Sequence, residues 1–219
     1  MRPVLLVGGA PRLAVDAVRY ISVRATGTTA MALRLRLVSL GVTSDLLLGS
    51  MSSCEVSARR FVDRTDLDAE LQAWIDLHPD GVVVMSAAVN DYRVASVELA
   101  IDDDVRHFPP GAKIPSGGDE MVIRLRPVDK IIDRLRTWGL TGPIVGFKYE
   151  ARDTVLAAAR SLRERTGAAL VVANSLCGTV QALVAADETE TFASRELLLD
   201  RLAQRLALLA GTRSATHGG

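Results

Sequence analysis

Short, unbroken apolar runs alternate along this chain with longer stretches in which apolar positions recur at helical spacing. The runs at 4–7, 45–48, 82–85, 143–147 and 170–173 lack the in-out alternation of a half-exposed strand. Runs of that length read as strands covered on both faces, as in a parallel sheet. Between them lie helical segments: one from about Ala30 to residue 40, closed by Gly41, then 67–77, 129–138, 154–165 and a last one from Ser194 to about 209. In the second, Leu67, Leu71, Trp74 and Ile75 share a face, which makes Trp74 a core residue. Segments 182–184 and 190–192 fit a short antiparallel pair, and 52–62 a loop with a short edge strand on which Arg59 and Arg60 are solvated. Strands alternating with helices predict an α/β protein with a Rossmann-like, doubly wound, mostly parallel sheet.

One region breaks the rhythm. Residues 93–126 carry Asp102, Asp103 and Asp104, then His107 before two prolines, then Lys113, and end on the alternating strand 121–126. This predicts an exposed, mobile insertion arm with a solvated Asp run and a surface histidine. A magnesium site on the Asp run is disfavoured, because consecutive side chains diverge. The rest of 1–211 reads as one domain, and 212–219 as a disordered tail.

Composition narrows the classes. The 219 residues are 48% hydrophobic, enough for one sizeable core. Twenty-six Lys plus Arg balance 26 Asp plus Glu, so no long-range field toward nucleic acid or membrane is expected. No run is long enough to span a bilayer, which points to the cytoplasm. Cys54 and Cys177 are too few for a disulfide framework or zinc site and read as small buried residues.

The candidate chemistry gathers where strands end. The first run stops at Gly8 and Gly9, where the absence of a side chain lets backbone approach a ligand. A polar loop with Arg12, Asp16 and Arg19 follows, then a turn through Arg24, Ala25, Thr26 and Gly27 into a helix. Free N–H groups at a helix start beside threonine hydroxyls suit an anion such as phosphate. The third run ends in Ser86, Ala87, Ala88, Val89, Asn90 and Asp91, a second ligand edge. A dinucleotide site is disfavoured: the helix starts too late after Gly9, and the second strand ends in Gly49, Ser50 and Met51 without an acidic residue for a ribose. A P-loop is absent, and a plain strand–turn–helix with an idle loop is the alternative reading.

These stretches, in order, resemble the phosphopantothenate–cysteine ligase family. The resemblance runs through Gly8-Gly9-Ala10-Pro11-Arg12, Asp16, Val18-Arg19-Tyr20-Ile21-Ser22 and Thr26-Gly27; Ala87-Ala88-Val89-Asn90-Asp91-Tyr92-Arg93; Ala112-Lys113-Ile114-Pro115-Ser116; Val145-Gly146-Phe147-Lys148; and Val172-Ala173-Asn174. The Lys113 loop and Phe147-Lys148 resemble the stand-alone form, without the fused flavin-binding decarboxylase half. The resemblance implies a two-step amide synthesis. The carboxylate of 4′-phosphopantothenate attacks the α-phosphate of CTP (ATP in some members), with magnesium on the triphosphate. Cysteine's amine then displaces the nucleoside monophosphate. It further implies that Lys113 closes over the phosphates as the catalytic lysine. Gly8, Gly9, Thr26, Gly27, Ala87, Asp91 and Phe147 meet the nucleotide, and Arg12, Asp16, Arg19 and Asn174 meet the substrate. The resemblance also implies a homodimer whose arm, with Lys113, completes the neighbour's site.

The chain also departs from the family pattern. A family asparagine is Val23, a lysine is Thr28, a glycine is Ala30 and an acidic residue after Asn174 is Ser175. Val23 offers no side-chain hydrogen bond for carrying the intermediate on to the amide. An inactive or repurposed paralogue that binds nucleotide or a phosphorylated acid therefore stays open beside the ligase. A nicotinamide oxidoreductase is the third alternative, disfavoured by the missing fingerprint.

Overall fold

A computed structural model describes residues 1–52, 57–102, 104–109 and 111–211. Cys54, Asp103 and the 212–219 tail lie outside them. The elements, in chain order, are β1 (Val4–Gly8), β2 (Arg12–Ala14), β3 (Tyr20–Ser22), α1 (Thr28–Ser39), β4 (Asp45–Gly49), β5 (Arg59–Phe61), α2 (Arg64–Leu77), β6 (Val82–Met85), β7 (Tyr92–Ile101), β8 (Asp104–Phe108), β9 (Glu120–Pro127), α3 (Ile131–Arg134), β10 (Ile144–Glu150), α4 (Val155–Thr166), β11 (Leu170–Ser175), β12 (Gln181–Val184), β13 (Thr189–Thr191) and α5 (Arg195–Gly211).

The apolar runs form an eight-stranded sheet in the order β13-β12-β11-β10-β6-β1-β4-β5. Pairing is parallel from β5 to β11 and antiparallel for β12 and β13. Counted along the parallel strands, this is the doubly wound order in which the winding reverses between the first and fourth strands, here β1 and β6. Successive side chains of one strand point to opposite faces, so both faces need cover. Leu5, Val7, Val83 and Met85 pack with α2, α3 and α4; Val4, Leu6, Val82 and Val84 pack with α1 and α5. Trp74 is core, as its spacing predicted, and its Nε1–H donates to Asp45 at 2.7 Å.

Three expectations change. The insertion arm expected at 93–126 carries a three-stranded antiparallel sheet, β8-β7-β9, of which only the strand at 121–126 was expected. Its inner face buries Val94, Val97, Leu99 and Ile114 together with Val15 of the β2–β3 hairpin, so the arm has a core of its own. The expected helix at 129–138 shrinks to α3, because the chain turns at Gly139 to bury Leu140. Arg59 is exposed and paired with Glu70, but Arg60 is half-buried and donates to the carbonyls of Gly49 and Ser52. A buried carbonyl needs a donor, and Arg60 supplies one that a solvated side chain would not. Of the Asp run, Asp102 and Asp104 are exposed at the end of β7 and the start of β8, and His107 is exposed on β8.

The turn after β1 is held by sterics. Gly9 has φ +82°, and a Cβ there would sit 2.5 Å from Ser52 Oγ and 2.9 Å from the Gly49 nitrogen. Gly41 has φ +73° with nothing within 4 Å of such an atom. Both positions carry the left-handed penalty of about 1–2 kcal/mol for an L-residue, but only Gly9 adds a clash. Denaturant unfolding should therefore show Gly9→Ala to be clearly more destabilising than Gly41→Ala. Equal losses would show that Ser52 and Gly49 move aside freely.

Candidate functional site

The carboxyl ends of β1 and β6 face each other at the reversal point, where crevices open in doubly wound sheets. Their backbones are tied beyond the sheet. Ser86 N–H and Oγ–H donate to the Val7 carbonyl at 3.0 and 2.6 Å, and Ala88 N–H to the Gly9 carbonyl at 2.9 Å. The partition made by Ala87, Ala88, Phe147, Lys148 and Tyr149 separates two cavities and lines both.

The first cavity, about 280 Å³, is lined by Met85, Val89, Ile131, Ile132 and Leu162, with Asp91, Lys130 and Arg165 at polar positions. Asp91 is ion-paired with Lys130, and Val128 N–H donates to the Asp91 carbonyl at 2.9 Å. Asp91 thus stands in the connection to β7 and caps no helix. Lys130 was not singled out from the sequence; its partner lies 39 residues away, which no local pattern reveals.

The second cavity, about 340 Å³, is lined by Gly9, Ser86, residues 24–29, Asn174 and Arg195. Its floor is the start of α1. Gly27 is left-handed at φ 78°, no side chain caps the helix and its first turn holds no acidic residue. A Cβ on Gly8 would lie 2.8 Å from Ala30 Cβ, so the helix start is pressed directly on the end of β1. Uncapped N–H groups and the positive end of the helix dipole therefore face the cavity. Thr26 Oγ1 hydrogen-bonds Thr28 Oγ1 at 3.2 Å beside them. Two polar atoms nearby have no partner among the described residues: Asn174 Oδ1, on the cavity wall, and Ser52 Oγ, against Gly9 and Gly27.

The proposed site residues therefore fall into two groups. Gly9, Thr26, Gly27, Ala87, Phe147 and Asn174 border the second cavity, with Ala87, Asp91 and Phe147 on the first; Gly8 lies beneath the helix start. Arg12, Asp16, Arg19 and Lys113 line neither. The guanidinium of Arg12 stacks 4.7 Å over the Tyr20 ring. Asp16, expected at the substrate, has a side chain with no exposed surface and serves the fold. Its carboxylate accepts the N–H groups of Val18 and Arg19 at 2.8 and 2.6 Å and pairs with the Arg19 guanidinium at 2.8 Å. The backbone N–H of Ile114, next to Lys113, adds a smaller attraction to the same carboxylate. Burial pushes this carboxyl up; the hydrogen bonds, the Arg19 charge and the Ile114 N–H outweigh it and hold it below the ordinary range. Asp16 thus hooks the Lys113 loop to the hairpin, while the Lys113 side chain is exposed.

Cys177 is also corrected. It is exposed, in the turn between β11 and β12. Hydrogen bonds from Ser175 and Thr179 to the sulfur bring its thiol down to about 7.

A family model for the DNA/pantothenate metabolism flavoprotein C-terminal domain matches residues 1–204. The chain belongs to the phosphopantothenate–cysteine ligase family. Among family relatives, the coenzyme A biosynthesis bifunctional protein CoaBC of Thermococcus kodakarensis is 32% identical over 180 residues, covering 79% of this chain and 41% of that protein. The chain therefore spans about two fifths of that curated relative's length. The DNA/pantothenate metabolism flavoprotein of Streptococcus pneumoniae superposes with a TM-score of 0.79 at 22% identity, over 95% of this chain and 99% of that one. A Cab2 mutant in complex with phosphopantothenate-cysteine gives 0.75 at 16%, over 94% and 85%. At such identities the solved family structures establish the shared fold. In this member, Gly49 stands at the end of β4, where a dinucleotide-binding chain places an acidic residue. A Cβ there would meet the Ala10 carbonyl oxygen at 2.7 Å, so no side chain fits.

Two measurements check this geometry. Asp16→Ala should release the Ile114 backbone, so that trypsin cuts after Lys113 several-fold faster than in the parent while β1 and β6 stay protected. An unchanged rate would mean that the arm's own core holds the loop. In a Cys54→Ser background, alkylation of Cys177 should rise through pH 7 and level off above it, because the thiolate reacts; a rise centred near pH 9 would refute the hydrogen-bonded thiolate.

Proposed function

We propose that this chain is a nucleotide-dependent ligase that joins 4′-phosphopantothenate to cysteine through an acyl-nucleotidyl intermediate, in coenzyme A biosynthesis. The observation that carries the reading is the uncapped start of α1 opening into a cavity at the strand reversal, in a chain of this family. The triphosphate of CTP or ATP would lie on the N–H groups of that helix start, beside Thr26. The base would enter the first cavity past Phe147, near Asp91.

The chemistry follows from charge. The substrate carboxylate attacks the α-phosphorus and pyrophosphate leaves; the amine of cysteine then attacks the acyl carbon and the nucleoside monophosphate leaves. Both steps gather negative charge on phosphate oxygens, which preorganised donors and cations stabilise. Arg24 and Lys148 line the cavity where this charge would develop. Among the described residues no group of three His, Cys, Asp or Glu is placed to hold a metal. Magnesium would therefore come bound to the triphosphate, held by phosphate oxygens and water. Lys113, outside both cavities of its own chain, would act in the neighbour's site of a homodimer, carried there by the β7–β9 arm.

The paralogue reading has one observation in its favour. Val23 is exposed, immediately precedes Arg24 of the cavity-lining 24–29 stretch, and offers no side-chain hydrogen bond. Incubation with phosphopantothenate, cysteine, magnesium and CTP or ATP should give pyrophosphate and phosphopantothenoylcysteine. Nucleotide-dependent thermal stabilisation without either product would favour the paralogue instead. Val23→Asn should raise amide formation more than pyrophosphate release. Sedimentation should show a dimer at micromolar concentration; a monomer would leave Lys113 without a site.

A further inference from the structure

We propose that Arg195, the first residue of α5, is a phosphate-binding residue of the second cavity, taking the pyrophosphate portion of a nucleoside triphosphate. This rests on the nucleotide reading above and adds a residue to it.

The placement is made by tertiary structure. α5 starts 166 residues after Thr29, yet the Arg195 guanidinium donates to Thr29 Oγ1 in the first turn of α1. That bond holds the planar cation at the mouth of the uncapped helix start, on the wall of the same cavity as Thr26, Gly27 and Arg24. The electrostatics of this corner are one-sided. Arg195 sits at the positive end of its own helix and reaches the positive end of α1, where cations are disfavoured. The carboxylate next to it in sequence, Glu196, turns the other way and pairs with Arg36, as does Asp200. Among the described residues neither Arg195 nor Arg24 has a carboxylate within ion-pair distance. Behind the Gly9 and Gly27 backbone, Ser52 is 8% exposed and its Oγ has no partner among the described residues; nor has Asn174 Oδ1 on the cavity wall. The uncapped start of α1 and two guanidinium groups with no carboxylate partner among the described residues are satisfied together by an anion with several oxygens. A guanidinium's fork suits such an anion, because it can donate two parallel hydrogen bonds to it.

The test is calorimetric titration of the full chain with Mg·CTP, Mg·ATP and inorganic tripolyphosphate, for the parent, Arg195→Gln and Arg195→Lys. Arg195→Gln should weaken binding of the preferred triphosphate about ten- to a hundredfold, the loss of hydrogen bonds to a charged group. It should also flatten the dependence of affinity on salt. Arg195→Lys, which keeps the charge but loses the fork, should recover part of the affinity. A role confined to pinning α5 onto α1 predicts a different pattern: a lower melting temperature in the unliganded variant, with affinity unchanged. The corner's excess positive charge predicts the opposite, an unliganded melting temperature that holds or rises in Arg195→Gln. Parent binding of nucleotide with equal affinity in Arg195→Gln overturns the assignment and leaves the ligase reading standing. Equal weakening in Gln and Lys variants also overturns it, since charge would not be the cause. Tripolyphosphate binding that depends on Arg195, without selective binding of any nucleotide, upholds the assignment and removes the nucleotide. A parent that binds none of the probes removes both.

Discussion

The contact between the start of α1 and the end of β1 is the constraint on which the rest of the molecule depends. A strand can deliver a helix N-terminus to a cavity only if nothing stands between them. Gly8 lies under Ala30, and Gly9 turns left-handed against Ser52 and Gly49. Any side chain at Gly8 or Gly9 would lift the helix or block the turn. The amides of the first turn are thereby left facing a cavity instead of the core, and with no acidic residue or capping side chain to quench them they remain a positive surface. The parallel sheet supplies the complementary edge: β6 ends level with β1, tied to it through Ser86 and Ala88.

The two halves of the candidate site are stabilised differently. The cavity side rests on the sheet and on apolar packing over both its faces. The arm side rests on a small core of its own and on one buried carboxylate. Asp16 stays ionised in the fold because its carboxylate accepts the N–H groups of Val18 and Arg19 and pairs with the Arg19 guanidinium. Through Ile114 it couples the hairpin after β1 to the loop that carries Lys113. The residues expected at the substrate thus divide into those that line a cavity and those that shape the apparatus beside it.

Much of the architecture was legible in the chain. The buried strands, the helices at 67–77 and 154–165 with their closing signals, and the antiparallel pair near the end lie where apolar periodicity and turn residues put them. The glycine turn, the Thr26-Gly27 helix start and the Ala87 edge were legible because a ligand edge needs small residues and free backbone at fixed places. What was misread had a common cause. The arm's strands are half-exposed, with part of their cover coming from Val15 and Ile114 outside the strands themselves, so their own pattern is weak. Arg60 looks like an ordinary surface charge until the carbonyls of Gly49 and Ser52 close around it.

By itself, then, the sequence determined which segments are buried strands, which are amphipathic helices and where strand ends must be small, because these follow from local sterics and from the period of apolar side chains. Only the tertiary structure decided which charges meet. Asp91 with Lys130, Asp16 with the Ile114 amide and Arg195 with Thr29 are partners separated by tens of residues or more. Their encounters depend on how the sheet winds and on where its helices start. Electrostatic partnership is a matter of distance in space, and no spacing along the chain encodes it.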